Sequence, residues 1–357
     1  MLSKEKIFIF FIGVLVVSLL VFNQSLRIVS NNKTTTTYEK SKLNTTNKIT
    51  NIYLEELGTE NIKEIKTSQN NTAHVITGCT AITKPGTYIL NKDIDEKRKL
   101  HACIYINLSF GTNEKTRSPT TNQVILDFQN HKIITDGTNI NELIKIENTD
   151  NVVVKNLELI NGAIGLVVAN SKNSRFENIT LNNQELLGIY CSKVDSLSFS
   201  DIGANSQDVG LYFNSAKNIS LLGITVEDAI TALLLSDVND SSIESNIINS
   251  SVGLLAKNIS NNEINISVRS TNHILYTNNI KNNIFSLLLD NETNNVATFV
   301  NSENNNISVS SNNNKSSNAQ IVLKFRNSRN NPITYASSVN LTVKNDESSS
   351  NNVAIEK

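Results

Sequence analysis

The chain predicts an all-β repeat fold, and three observations carry that prediction. Five short apolar runs recur at nearly constant spacing: GLVVANS from Gly165, GIYCSKV from Gly188, GLYFNSA from Gly210, ALLLSDV from Ala232 and GLLAKNI from Gly253, at intervals of 23, 22, 22 and 21 residues. A second set keeps the same beat: VKNLEL from Val154, FENITL from Phe176, FSDIGA from Phe199, LLGITV from Leu221 and IESNII from Ile243. Turn residues separate the runs, with no helical pattern between them. Self-similarity at such a period marks stacked repeats, and two or three short strands per repeat fit one coil of a parallel β-helix of about 22 residues per coil. Leucine-rich repeats share the period but need a fixed Leu scaffold and a helical return. Propeller blades need about 40 residues and antiparallel strands.

In such a solenoid each coil lies about 4.8 Å above the last, so equivalent side chains stack. Strand alternation then assigns faces. Leu166, Ile189, Leu211, Leu233 and Leu254 form one inward column, and Val168, Cys191, Phe213, Leu235 and Ala256 a second. Each fully buried aliphatic contributes roughly 1.5–3 kcal/mol, so these columns supply much of the stability. Val167, Tyr190, Tyr212, Leu234 and Leu255 point outward. An apolar outer stripe of this kind needs a cover or a partner.

At the N-terminus, Lys4 and Lys6 precede an apolar run from Ile7 to Phe22, slightly short of a comfortable bilayer span. The exit, NQSLRIVSNN, carries no small-residue cleavage site. Residues 1–29 therefore read as an uncleaved signal anchor in preference to a cleaved signal, and either exports the remainder of the chain. Residues 30–74 are Thr-, Lys- and Asn-rich and read as a polar stalk; the apolar stretch near Ile52–Leu57 is at most a single helical turn. Residues 75–300 read as the β-helix with its N-terminal cap, and 301–357, with strand-like IVLKF and SVNLTV, as last coils or a β cap. With 32 basic against 33 acidic residues, no net field draws the chain to nucleic acid. Trp is absent and Pro numbers only 3, while Asn is plentiful, which suits tight turns in left-handed conformations. Asn-x-Ser/Thr sequons, Asn44, Asn107, Asn178, Asn218, Asn258, Asn265 and Asn340 among them, are compatible with a glycosylated surface protein.

The segments CTAITKPGTYIL…DI…ACIYI (Cys79 to Ile106), VILDFQNHKI (Val124 to Ile133) and NVVVKNLEL (Asn151 to Leu159), with the coils after them, resemble the NosD-like group of right-handed parallel β-helix proteins. The resemblance spans about Val75 to Asn301 and implies a right-handed coil within the class of carbohydrate-binding and sugar-hydrolase β-helices. The family's Leu-Asp-Gly-x-Gly-His turn is altered to LDFQNH, with Phe128 and Asn130 in place of glycines, which stiffens this rung.

Five sets of residues are candidates for function. In an oxidising, exported setting Cys79 and Cys103 fit a disulfide closing a loop worth about 3 kcal/mol; two unpaired thiols or a metal site are the alternatives, and the resemblance points to the bridge. Cys191 falls in the inward column and reads as a small buried hydrophobe. The family's namesake serves copper-site maturation, but His74, His101, His131 and His273 lack ligand spacing. Asn148-Thr149-Asp150 matches the opening motif of a pectin-degrading family, without the paired aspartates, Gly-His-Gly or Arg-x-Lys that complete it. Glu185, Asp208, Glu227 and Asp228 precede the apolar strands of successive coils; superposed, they would line one edge as solvated turn acids, a Ca²⁺ site or weak catalytic candidates. Tyr190 over Tyr212 offers aromatic faces of the kind that stack on sugars. The stripe around them is covered by the chain itself (the 107–122 insertion or the C-terminal residues), forms a protein interface or binds a glycan.

These readings converge on an exported surface protein with a structural, adhesive or glycan-binding role. The rival is a carbohydrate-active lyase, hydrolase or epimerase acting at the turn acids. A third option is an accessory factor for metal-site assembly.

Overall fold

A computed structural model describes residues 57, 61–66, 72–108, 123–137, 140–271, 273–290, 295–311 and 319–357, all within the unit Tyr53–Lys357. The expected anchor at 1–29 lies outside these residues, as do most of the stalk and most of the 107–122 insertion. No helix among the described residues is long and apolar enough to cross a membrane. The described regular structure is built of 27 strands, wound as a parallel β-solenoid of about 11 turns.

One coil shows how the sequence makes this shape. Strands Val209–Lys217 and Ser220–Glu227 are bent at Ser215, Asn218, Gly223 and Asp228, all with φ between 55° and 65°. A left-handed backbone costs most L residues about 1–2 kcal/mol, and Asn and Asp least among those with a side chain. Among the described residues 30 non-glycine residues have positive φ, of which 20 are Asn, four are Asp and four are Ser. The Asn-rich composition is thus a backbone requirement, because each coil turns three or four such corners. Where the period shortens to 21, one corner has vanished: pairing passes from Leu221↔Ile243 to Ile224↔Ser245, leaving Gly223 without a counterpart.

The register is the one that the repeats predict. Leu166↔Ile189, Ile189↔Leu211, Leu211↔Leu233 and Leu233↔Leu254 are paired, as are Val168↔Cys191, Cys191↔Phe213, Phe213↔Leu235 and Leu235↔Ala256, and every member is buried. The second run stacks equally, Val154↔Phe176, Phe176↔Phe199, Phe199↔Leu221 and Leu221↔Ile243. Phe176 and Phe199 stack with ring centroids 4.6 Å apart, and Phe213 meets Phe199 edge-on at 5.6 Å. A flat ring repeated in one column suits offset packing.

A buried polar column accompanies the apolar ones. Asn262, Asn283, Asn305, Asn331 and Asn352 stack one per coil, each Nδ2 donating to the next Oδ1 at 2.8–3.0 Å. Each Oδ1 also accepts the backbone N–H of the preceding asparagine at 3.0–3.2 Å. Buried polar groups persist only when partnered, and a repeated amide meets that condition with itself. A shorter glutamine column, in which Gln207 Nε2 donates to Gln184 Oε1 at 3.1 Å, reaches its end because Ala229 follows in the next coil. Among the described residues Gln207 Oε1 is left without a partner.

Both ends differ from the linear reading. Ile62–Lys66 pairs antiparallel with Thr72–Ile76, so β-structure begins inside the segment read as stalk. IKEIK carries too few apolar residues to signal a strand by pattern, and it pairs through its backbone along the outer edge of the stack. Leu57 packs into the core. At the other end, Ala319–Arg326 with Val339–Asn345, and Ile333–Tyr335 with Ala354–Glu356, prolong the parallel ladders.

Cys79 and Cys103 form a disulfide with Cα atoms 4.4 Å apart. Cys191 is a buried free thiol whose pKa burial pushes well up. At the altered LDFQNH turn, Gln129 and Asn130 take the left-handed positions (φ 50° and 65°) and Phe128 is wholly buried. The rung forms, with Val124 paired to Gly86 and to Val152.

Candidate functional site

The outward column is continuous. Lys145, Val167, Tyr190, Tyr212, Leu234, Leu255, Tyr276 and Thr298 pair successively across parallel strands. Val167, expected outside, is only 5% exposed and closes one end of the stripe. Tyr190, Tyr212, Leu234 and Leu255 are half-buried, and Tyr276 is 42% exposed. Tyr276 belongs to the degenerate repeat HILYTNNI; once Leu275 is set inward, alternation places the tyrosine outward, so its signal is present in the sequence. The rings of Tyr190 and Tyr212 sit 5.2 Å apart at 40°. Burial, followed by Tyr190 and by the negative charge of Asp237, pushes the Tyr212 phenol up to about 12. It is therefore a neutral donor at ordinary pH.

A polar column runs beside the stripe, two residues along each strand and on the same face. It comprises Ser192, Asn214, Ser236, Lys257 and Asn278, paired in register. The sequence does not mark these residues out, because none is distinctive alone. Together they put hydrogen-bonding groups along an apolar strip over five coils. The C-terminal residues do not lie over this strip, since 319–357 extend the stack instead.

The acidic turn is less regular than its spacing implied. Asp208 and Glu185 occupy neighbouring coils beside the stacked Gln207 and Gln184. Partial burial, and secondarily the charge of Glu185, raise the pKa of the Asp208 carboxyl. Glu227 and Asp228 do not join them. Glu227 pairs with Asn205, Asp228 occupies the corner with its N–H on the Ile248 carbonyl at 3.1 Å, and Ile230 takes the place against Asp208, as the 2.9 Å bond from Thr231 N–H to Asp208 O shows. The expected row of four carboxylates is a pair. The pair forms because Asn182 pairs with Asn205 but Leu187 with Val209, so one extra residue in the lower coil sets Glu185 against Asp208. The next corner is equal, with Asn205 on Glu227 and Val209 on Thr231, and that register sets Asp208 against Ile230.

The histidines are scattered. His74 stacks on Tyr88 at 4.8 Å, His131 Nδ1 lies 3.0 Å from Asp93 Oδ1, and His273 is exposed on a strand. Among the described residues no group of three or more His, Cys, Asp or Glu side chains could hold a metal ion. Asn148 and Asp150 flank a corner, where Asp150 Oδ1 accepts the Lys172 N–H at 2.8 Å.

No family model matches the chain, and no curated protein matches it by sequence. Solved structures similar to it include a DFA-IIIase variant from Arthrobacter chlorophenolicus A6, at 10% identity and a TM-score of 0.43, covering 74% of this chain and 63% of that one. A polygalacturonase from Erwinia carotovora ssp. carotovora follows at 12% and 0.40, covering 79% and 86%. A variant of the periplasmic alginate epimerase AlgG stands at 11% and 0.45, covering 80% and 78%.

Proposed function

We propose that the chain is an exported, surface-anchored β-helix protein that holds a glycan along the wall of Tyr190, Tyr212, Leu234, Leu255 and Tyr276. The narrower NosD-like grouping belongs to the same proposal. One observation carries the reading: a half-buried aromatic and aliphatic strip, flanked in register by Ser192, Asn214, Ser236, Lys257 and Asn278. A pyranose ring presents apolar C–H faces and polar edges. A strip with apolar centre and polar margin matches both, with tyrosine supplying a rigid amphipathic surface. Calorimetry against a panel of oligosaccharides tests it. Binding should weaken about tenfold or more in Tyr190→Ala and Tyr212→Ala; binding that survives both changes undiminished removes the wall from the reading.

A second reading rests on Asp208, whose raised pKa beside Glu185 is a trait of acid catalysts. Turnover of any polysaccharide that is lost in Asp208→Asn would support it. A broad screen with no turnover at all would sink it.

A further inference from the structure

Beyond Thr298 the tyrosine column does not end in neutral residues. It runs on to Lys324 and Lys344, which are paired directly across Ala319–Arg326 and Val339–Asn345. Arg326 stands two residues beyond Lys324 on its strand, so its side chain leaves the same face. There it prolongs the polar column through Lys257, Asn278 and Val300. Neighbouring strands lie about 4.8 Å apart, and like charges directly opposite one another are destabilising.

Among the described residues no ion pair offsets this repulsion. Several cations elsewhere on the stack are matched across coils: Lys132 with Glu158, Lys155 with Asp127, Arg269 with Asp290, and Lys281 and Arg329 with Glu303. Among the described residues Lys324, Arg326 and Lys344 have no such carboxylate. Asp346 follows the ladder beside Arg326, its N–H on the Phe325 carbonyl at 3.1 Å, but its carboxylate is engaged by Ser349 and Ser348 at 2.6 and 2.9 Å and by the Asn327 N–H at 3.2 Å. Those bonds, Ser349 first, lower the pKa of its carboxyl. The chain's formal net charge is −1, so three unmatched cations at one end of one wall are a local feature, not part of a basic surface.

We infer that the glycan held by the wall is anionic, a polysaccharide bearing carboxylate or sulfate groups, and that Lys324, Arg326 and Lys344 receive those groups. This rests on the glycan reading of the wall. Sugar faces lie on Tyr276, Leu255 and Leu234, and acidic substituents about two coils further along, roughly 10 Å away, meet the cations. Arg326 presents a planar fork suited to a two-oxygen anion. Ligand binding relieves the repulsion between the two lysines, which adds to the selectivity for charge. A nucleic acid would need cations spread along a phosphate track, whereas here they are confined to the end of an apolar strip.

Calorimetry on the full chain tests the inference with four probes: hyaluronan oligosaccharides, heparin oligosaccharides, cellohexaose and duplex DNA. Acidic oligosaccharides should bind more tightly than cellohexaose, and more weakly at about 0.3 M than at about 0.05 M salt. The combined Lys324→Ala, Arg326→Ala and Lys344→Ala variant should lose about tenfold in affinity for the acidic probe and little for cellohexaose. Its thermal midpoint should be unchanged or higher, because a repulsion is removed. The charge-reversed Lys324→Glu should lose acidic binding while staying folded. Equal binding of cellohexaose and the acidic probes, or acidic binding unaffected by the triple substitution, overturns the inference and leaves the wall reading intact. Preferential binding of DNA through the three cations also overturns it. Failure to bind any oligosaccharide, acidic or neutral, overturns both.

Discussion

Asn283→Ala tests whether the buried amide column holds the C-terminal half of the solenoid together. Asn283 Oδ1 accepts the Asn262 N–H and the Asn262 Nδ2, both at 3.0 Å, while its Nδ2 reaches the Ile259 carbonyl at 3.2 Å and Asn305 Oδ1 at 2.9 Å. Alanine leaves the buried Asn262 N–H without its acceptor and withdraws a donor from the Ile259 carbonyl. Each buried group so stranded costs about 1–3 kcal/mol, so the change should destabilise the fold by about 3–5 kcal/mol in all. Asn283→Ser should lose about half as much, because Ser241, at the same position two coils earlier, already accepts the Ile219 N–H through its Oγ at 3.0 Å. Urea unfolding followed by circular dichroism gives the totals. Hydrogen exchange at the Asn262 amide reads the local opening that nearest-neighbour stacking predicts. Asn265→Ala, at a half-buried strand position outside the column, is the control. The reasoning fails if Asn283→Ala lies within about 0.5 kcal/mol of that control, or if serine is as damaging as alanine.

Three further outcomes are expected. Replacing Cys79 and Cys103 by Ser should cost about 3.5 kcal/mol for their separation of 24 residues, read from the urea midpoint, while Cys191 should resist a thiol reagent until the protein unfolds. Gly210→Val should destabilise by about 3 kcal/mol or more, judged by thermal melting, because a Cβ there would lie 2.6 Å from the Ala232 carbonyl oxygen and from Val226 Cγ1 in a core that tolerates little overpacking. Asp208→Asn should raise stability at neutral pH. The native carboxyl has a raised pKa, so the folded state binds the proton more tightly than the unfolded state, and stability falls as pH rises from the unfolded pKa through the folded one. The gain should therefore be present at pH 7 and vanish below the ordinary aspartate range; an equal gain at both would refute the assignment.

The fold was legible because a β-solenoid writes its geometry directly into sequence. Alternation sends Ile189 and Cys191 inward and Tyr190 outward, and the constant coil length carries that assignment from Gly165 to Gly253 without knowledge of any distant contact. The asparagine column was less visible: Asn262, Asn283 and Asn305 sit among many corner asparagines, and no local pattern separates a buried amide from a left-handed one. Ile62–Lys66 carries no strand signal in its sequence because backbone pairing on an edge asks little of side chains.

By itself the sequence determined the period, the two inward columns, the tyrosine pair on one outer face and the buried position of Cys191. Only the tertiary structure decided what meets at the corners. One extra residue between Asn182 and Leu187 brings Glu185 to Asp208, while the equal corner of the next coil sets Ile230, not Glu227 or Asp228, against Asp208. It also decided that Val167 is covered and that Lys324 faces Lys344. The reason is physical: along a strand the side-chain period is two everywhere, so faces can be read locally. At a corner the position of a side chain depends on how many residues the coils above and below spend on the same turn.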